Sequence, residues 1–120
     1  MKVVVSSIGG SLDSQVDPRF GRASTFMLVD TETSETQSID NSAGADAAQG
    51  AGIQAAETVS RLGAECLITG HCGPKAFRAL QAAGIRVYTG ASGTIAEAIE
   101  QLRSDVLQLA TGPDVGGHWG

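Results

Sequence analysis

The run Gly70-His71-Cys72-Gly73 combines an imidazole, a thiol and two glycines, and Pro74 follows it directly. Proline favours the first position of a helix, so the run is predicted to be a loop that leads into a helix N-terminus. The backbone N–H groups and the positive end of the helix dipole favour an anion at such a position. They also favour the thiolate form of Cys72, which makes this residue a candidate soft-metal ligand, with His71 as a second one.

A second group of residues suited to chemistry is the segment Asp17-Pro-Arg-Phe-Gly-Arg-Ala23. Guanidinium groups present fixed hydrogen-bond donors that suit oxyanions and other polyanionic ligands. Alternatively, an ion pair between Asp17 and an arginine locks the loop, while Phe20 fills space in the core. Half of the 8 basic residues belong to this segment or to the one that follows His71, namely Arg19, Arg22, Lys75 and Arg78. This concentration in an acidic chain predicts a negatively charged ligand.

The remaining candidate residues give weaker predictions. Cys66 lies within a short apolar run and is predicted to be a small core residue. The segment Gly50–Ala55 matches the dinucleotide pattern G-x-G-x-x-A, but no strand directly precedes it, which disfavours nucleotide binding. His118 is a further candidate metal ligand, although a histidine near a chain end is usually solvated. No Ser–His–Asp order, pair of catalytic acids or HExxH motif supports hydrolysis.

The composition limits the classes of protein to consider. With 120 residues, of which 42% are hydrophobic, the chain suits one packed domain. Its 13 acidic and 8 basic residues give a net charge of −5, which disfavours binding to nucleic acid or to an anionic membrane surface. Two cysteines cannot supply a four-thiolate zinc or iron–sulfur site. The apolar runs are too short for a signal peptide or a membrane span, so we expect a soluble, cytoplasmic protein.

The pattern of apolar residues predicts an α/β protein with elements in the order β-β-β-α-β-α-β-α. Runs rich in β-branched residues predict the strands, which are Lys2–Ile8, Thr25–Asp30, Thr36–Asp40, Cys66–Thr69 and Ile85–Tyr88. Apolar residues at three- and four-residue steps predict helices that begin near Ala48, at Pro74 and after Thr94. A short polar connection predicts an antiparallel hairpin of the second and third strands, and the later strand–helix–strand units predict parallel pairing. We expect one domain over residues 1–110 and a flexible tail over residues 111–120.

Taken together, these motifs resemble those of the nitrogenase iron–molybdenum cofactor biosynthesis family. The likeness rests on a succession of motifs, which are Asp17–Ala23, Phe26, Asp30, Asn41, Gly50–Ala56 and Ile68–Phe77 in this order. It extends over nearly the whole chain. The small stand-alone members of this family include the orange proteins of sulfate-reducing bacteria, which hold a molybdenum–copper sulfide cluster.

The resemblance implies a ribonuclease H-like, three-layer α/β/α fold with a five-stranded mixed sheet. It also implies a non-catalytic carrier of an anionic metal–sulfur cluster, either molybdenum–copper or molybdenum–iron sulfide, or of its precursor. The partners of such a carrier would be proteins that donate or receive the cluster. The sequence leaves the oligomeric state of the carrier open. The residues predicted to bind the cofactor are Arg19, Phe20, Gly21, Arg22, Asn41, Gly50, Gly52, Gly70, His71, Cys72, Gly73 and Pro74, with Cys72 and His71 as candidate metal ligands.

The physical interpretation agrees with this resemblance but leaves two alternatives open. A bulky sulfide anion needs N–H donors and guanidinium groups, and the Gly-, Ala- and Ser-rich segment Asn41–Gly52 is predicted to be mobile and to close over it. A small enzyme would instead use Cys72 as a nucleophile and His71 as a base, although adjacent residues of an extended segment point to opposite faces. A ligand-free interaction domain would leave the arginines as plain surface residues.

Overall fold

The computed structural model describes residues 1–110, which form one β-sheet with helices packed on both faces. The strands are β1 (Lys2–Ser7), β2 (Thr25–Asp30), β3 (Thr36–Asp40), β4 (Cys66–Ile68), β5 (Arg86–Thr89) and β6 (Gln108–Leu109). The helices are α1 (Ser42–Ala45), α2 (Ala51–Arg61), α3 (Pro74–Ala82) and α4 (Ile95–Arg103). The predicted flexible tail and His118 lie outside the described residues.

The strand order places the loops that follow β1 and β4 next to each other at one edge of the sheet. Across the sheet the strands follow the order β3-β2-β1-β4-β5-β6. β1 pairs antiparallel with β2 and parallel with β4, and β4 pairs parallel with β5. β2 and β3 form the predicted antiparallel hairpin. Because the chain leaves β1 toward one edge of the sheet and β4 toward the other, a topological switch point lies between them, where open α/β sheets bind ligands.

The mixed α/β class is confirmed, but the prediction of five strands was wrong, because the sheet has six strands within residues 1–110. The additional strand, β6, consists of two exposed residues paired antiparallel with β5, which is too short to show an alternating pattern. The sequence pattern also did not reveal α1, whose four residues Ser-Ala-Gly-Ala contain no apolar stripe. The ribonuclease H-like assignment stays a prediction.

Two apolar layers join the helices to the sheet. On one face, Val59 of α2 and Leu80 of α3 pack with side chains of the central strands. On the other face, Ile95 and Ile99 of α4 do the same. Cys66 belongs to this second layer and is fully buried, which confirms its prediction as a core residue, and burial raises the pKa of its thiol. Within residues 1–110, no helix has the length and apolar character needed to cross a membrane.

The start of α4 carries a capping box and supports the loop that bears Arg19 and Arg22. The N–H of Glu97 donates to Oγ1 of Thr94 at 3.1 Å, and the N–H of Thr94 donates to Oε1 of Glu97 at 2.9 Å. These hydrogen bonds hold the pKa of the Glu97 carboxyl below its ordinary value. Directly before the box, the carbonyl of Gly93 accepts a hydrogen bond from the N–H of Val16 at 2.9 Å. The helix start therefore anchors the chain just ahead of the arginines.

Candidate functional site

A surface cleft of about 440 Å³ opens where three chain segments meet. The first segment is the loop between β1 and β2, the second is the start of α2, and the third connects β4 to α3. The lining residues are Arg19, Phe20, Gly21, Arg22, Gly50, Ala51, Gly52, Ile53, His71, Gly73, Pro74, Lys75 and Ala76. The cleft therefore gathers residues from both motifs that the sequence singled out.

Backbone hydrogen bonds join the loop between β1 and β2, residues 8–24, to the loop that follows β4. We refer to residues 8–24 as the arginine loop. The N–H of His71 donates to the carbonyl of Pro18 at 2.7 Å, and the N–H of Phe20 donates to the carbonyl of His71 at 3.4 Å. At the strand ends, the buried hydroxyls of Ser6 and Thr69 are hydrogen-bonded at 2.8 Å, which links β1 to the end of β4. The two motifs, far apart in sequence, thus form one continuous surface.

Two glycines allow the arginine loop to approach its neighbours closely. A Cβ atom at Gly70 would lie 2.7 Å from Cα of Pro18. A Cβ atom at Gly21 would lie 2.8 Å from the backbone nitrogen of Gly52, at the start of α2. Only glycine fits such contacts, because the opposing atoms belong to the backbone and cannot rotate away. These two glycines therefore allow the backbone of the arginine loop to lie directly against the loop after β4 and the start of α2.

Two helices begin at the cleft without a side-chain cap. The N-cap residue is Gly50 in α2 and Gly73 in α3, and neither helix has a side-chain cap hydrogen bond. The N–H groups of the first turn have no partner within their own helix, and Pro74 at the start of α3 has no N–H at all. The remaining first-turn N–H groups belong to cleft-lining residues, which are Ala51, Gly52, Ile53, Lys75 and Ala76. Two positive helix ends therefore meet at one cleft, an arrangement that favours an anion.

Three cationic side chains stand around these helix ends. The side chain of Arg19 is 67% exposed, and its Nε lies 3.5 Å from Oδ1 of Asp17. The backbone N–H of Arg19 donates to the same oxygen at 2.9 Å. Arg22 donates through Nη1 to two backbone carbonyls in the segment before α2. With Lys75, these groups make the cleft cationic in a chain whose net charge is −5.

Phe20 belongs to the core as well as to the cleft wall. Its side chain is 2% exposed, and its ring centroid lies 5.6 Å from that of Phe26. The alternative that the sequence left open, a loop locked by Asp17 with Phe20 filling the core, is therefore confirmed. It does not compete with the ligand-binding interpretation, because the same loop presents Arg19 to the cleft.

Three residues predicted to bind the cofactor do not line the cleft. Asn41 is 6% exposed, and its Nδ2 donates to the carbonyl of Ala23 at 2.8 Å. Gly70 packs against Pro18. Cys72 is 1% exposed and lies in the apolar layer beneath α2 and α3. Their roles in binding stay predictions, and so does metal ligation by Cys72 and His71.

His71 and Cys72 point in opposite directions, as the sequence predicted. His71 is exposed and lines the cleft, whereas Cys72 is buried. A catalytic thiol with a neighbouring base needs both groups at the surface that the substrate reaches, so this geometry disfavours the enzyme alternative. Among residues 1–110, no three His, Cys, Asp or Glu side chains are grouped to hold a metal ion.

Sequence reasoning missed four cleft-lining residues, which are Ala51, Ile53, Lys75 and Ala76. The sequence predicts Lys75 as one of the clustered basic residues, but it does not predict that Lys75 lines the site. The sequence signal that could have identified these residues is the glycine pattern that begins at Gly50. This pattern lacks the preceding strand of a nucleotide motif, yet its glycines mark the start of a helix that faces the cleft.

The fold and the site together define a small α/β protein with a cleft lined by cationic side chains beside the switch point of its sheet. Residues 1–105 match the family described as dinitrogenase iron–molybdenum cofactor, and the chain belongs to this family. The motif resemblance is thereby confirmed.

Three relatives extend this assignment. The apo form of the orange protein from Desulfovibrio gigas is 42% identical with a TM-score of 0.92, over 94% of this chain and 95% of that one. A Thermotoga protein of known solution structure is 34% identical with a TM-score of 0.80, over 90% of this chain and 91% of that one. An uncharacterized protein of Methanocaldococcus jannaschii is 31% identical over 104 residues, 83% of this chain and 87% of its own length. The likeness therefore covers the whole domain and not the motifs alone.

Proposed function

We propose that this protein binds and carries an anionic, molybdenum-containing metal–sulfur cluster, or the precursor of one, in the cleft between α2 and α3. The observation that carries the proposal is the meeting of two helix N-termini, both without side-chain caps, with Arg19, Arg22 and Lys75 at a single cleft. Membership of the iron–molybdenum cofactor family and the likeness to the orange protein support the class of cargo.

The chemistry of the cleft suits a bulky sulfide anion. Sulfide ligands accept several hydrogen bonds at once, and the first turns of α2 and α3 supply backbone N–H groups on two sides. Phe20, Ile53 and Pro74 add apolar wall, which suits a polarisable anion better than a small, strongly hydrated one. About 440 Å³ lies within the usual size of small-molecule sites, roughly 300–1,000 Å³. The cluster would thus be held by hydrogen bonds and charge.

The proposal also covers the second metal of the cluster and the proteins that exchange it. Copper is the second metal we propose, because the motif resemblance to the orange proteins implies a molybdenum–copper sulfide cargo. Iron is the alternative, because the matched family is described as dinitrogenase iron–molybdenum cofactor. The cleft opens at the surface, so a protein that donates or receives the cluster could reach it directly.

We propose that the protein works in the cytoplasm, a reducing compartment in which thiols such as Cys66 persist. The residues around the cleft serve binding, and no catalytic role is assigned to them.

Metal analysis of the purified protein tests this proposal. The protein would be produced in medium supplemented with molybdate and copper, purified without oxygen, and examined by visible absorption and by elemental analysis for Mo, Cu, Fe and Zn. We expect bound molybdenum together with a visible absorption band, and the Cu-to-Fe ratio distinguishes the two cargoes. Absence of molybdenum, both after purification and after incubation with tetrathiomolybdate, would contradict the proposal.

Arg19→Ala is expected to weaken tetrathiomolybdate binding by about tenfold, as for the loss of one charge-assisted hydrogen bond at an exposed site. Thermal stability should stay nearly unchanged, because the side chain is 67% exposed and the turn is held by the backbone N–H of Arg19. Spectroscopic titration and thermal melting measure the two quantities. Arg78→Ala, which removes an exposed arginine that does not line the cleft, is the matched control. An unchanged affinity with a large loss of stability would make the residue structural.

Cys72→Ser separates covalent from non-covalent binding. Because the Cys72 side chain is buried outside the cleft, we expect the affinity for tetrathiomolybdate to change by no more than a few-fold. The melting temperature should fall, since a hydroxyl is more costly to bury in an apolar layer than a thiol. Complete loss of binding with an intact circular-dichroism spectrum would instead show that the thiolate holds the metal.

A further inference from the structure

The segment between β3 and α2, residues 42–49, is attached to the arginine loop by the side chain of Arg22. We refer to these residues as the strap. Nη1 of Arg22 donates to the carbonyl of Ala45 at 2.8 Å and to that of Ala47 at 2.7 Å. One guanidinium nitrogen thus holds the end of α1 and the turn that follows it. The same side chain lines the cleft.

Asn41 makes a second attachment at the beginning of the strap. Its backbone N–H donates to the carbonyl of Ser24 at 2.8 Å, and its Nδ2 donates to the carbonyl of Ala23 at 2.8 Å. Its own carbonyl accepts the hydrogen bond that starts α1, from the N–H of Ala45 at 2.8 Å. A Cβ atom at Gly44 would lie 2.7 Å from Oδ1 of Asn41, so the strap packs tightly on this amide. Both ends of α1 are therefore tied to residues 22–24.

We propose that Arg22 and Asn41 are positioning residues that clamp the strap and thereby fix the start of α2 at the cleft. The strap runs directly into Gly50, the N-cap residue of α2, and the following residues carry N–H donors that line the cleft. A strap that moved would carry these donors with it. This inference rests on the proposed function and deepens it, because it assigns a role to a buried asparagine that does not line the cleft.

The clamp also couples the strap to the cargo. A guanidinium group has five N–H donors, and the two carbonyls of the strap are held through Nη1 alone. An anion bound in the cleft would contact the same cation through its other N–H groups. Coupling between two sites is reciprocal. A cargo that favours the position in which Arg22 is hydrogen-bonded to the strap therefore also stabilises the strap.

Amide hydrogen exchange of the anion-free protein tests the clamp itself. We expect Asn41→Ala and Arg22→Met to speed exchange of the hydrogen-bonded amides of Ala45, Asp46 and Ala47 by about fivefold or more, as for the loss of one or two hydrogen bonds, with β1 and β4 unaffected. Arg78→Met removes an exposed arginine that does not line the cleft and should leave exchange unchanged. Unchanged exchange in both Asn41→Ala and Arg22→Met would overturn the clamp, whatever the protein binds.

Titration with tetrathiomolybdate tests the positioning role. Asn41→Ala leaves every charge and lining residue of the cleft in place, yet it should weaken binding by about fivefold or more. In the wild-type protein, tetrathiomolybdate should slow exchange in the strap, a readout that does not depend on how well a variant folds. An unchanged affinity in Asn41→Ala, or a strap that exchanges equally with and without the anion, would overturn the positioning role. Failure of the wild-type protein to bind would contradict the proposed function and this role, while exchange in the anion-free protein still decides the clamp.

Discussion

Phe20→Ala should lower the free energy of unfolding by about 3–5 kcal/mol, the usual cost of removing a buried aromatic ring. Phe20 is 2% exposed and packs against Phe26, so the truncation leaves a cavity at the junction of the core and the cleft wall. Chemical denaturation with urea, followed by circular dichroism, measures the change. Leu12→Ala is the control, since Leu12 is 39% exposed and its truncation should cost less than about 1 kcal/mol. Equal effects of the two substitutions would contradict the assignment of Phe20 to the core.

Gly21→Ala should weaken tetrathiomolybdate binding by about tenfold or more and cost about 1–3 kcal/mol of stability. The added Cβ would lie 2.8 Å from the nitrogen and 2.9 Å from Cα of Gly52. Since these are backbone atoms, the arginine loop must move away from the start of α2, which separates the guanidinium groups from the N–H donors. Titration by visible absorption and thermal melting measure the two effects.

The control for Gly21→Ala is Gly10→Ala in the same loop. A Cβ at Gly10 would lie 3.5 Å from the side chain of Ser38, an ordinary contact, so affinity and stability should stay near the wild-type values. If Gly21→Ala bound tetrathiomolybdate as tightly as Gly10→Ala, the close contact between the arginine loop and α2 would not shape the site.

The regular elements could be predicted because each one has a local pattern. β2 and β3 have the predicted bounds, and α3 begins at the predicted proline. β6 could not be predicted, because its two exposed residues pair with β5 without any apolar alternation of their own. α1 could not be predicted either, since one turn of small residues is held by Arg22 and Asn41 and not by its own propensity. Tertiary hydrogen bonds define these elements.

The site could be predicted only in part, because some of its residues have local sequence signals and others come together only through tertiary packing. Charge and glycine content identified the arginine loop and the loop that contains His71, and the sheet topology brings them together. The opposite directions of His71 and Cys72 followed from the alternation of an extended chain. The contribution of α2 could not be derived from local sequence, because Gly52 meets Gly21 only through the packing of α2 beside α3. Likewise, nothing local to Asn41 indicates that its amide binds the carbonyl of Ala23.

The most direct test of the central claim is a titration of the metal-free wild-type protein. Tetrathiomolybdate would be added with and without Cu(I), under exclusion of oxygen, and followed by visible absorption, with molybdate as the matched oxygen anion. We expect a saturable, single-site change with the thioanion, a further change with copper, and much weaker binding of molybdate. The absence of any saturable spectral change with tetrathiomolybdate, alone or with copper, would contradict the assignment of the cleft as a metal–sulfur cluster site.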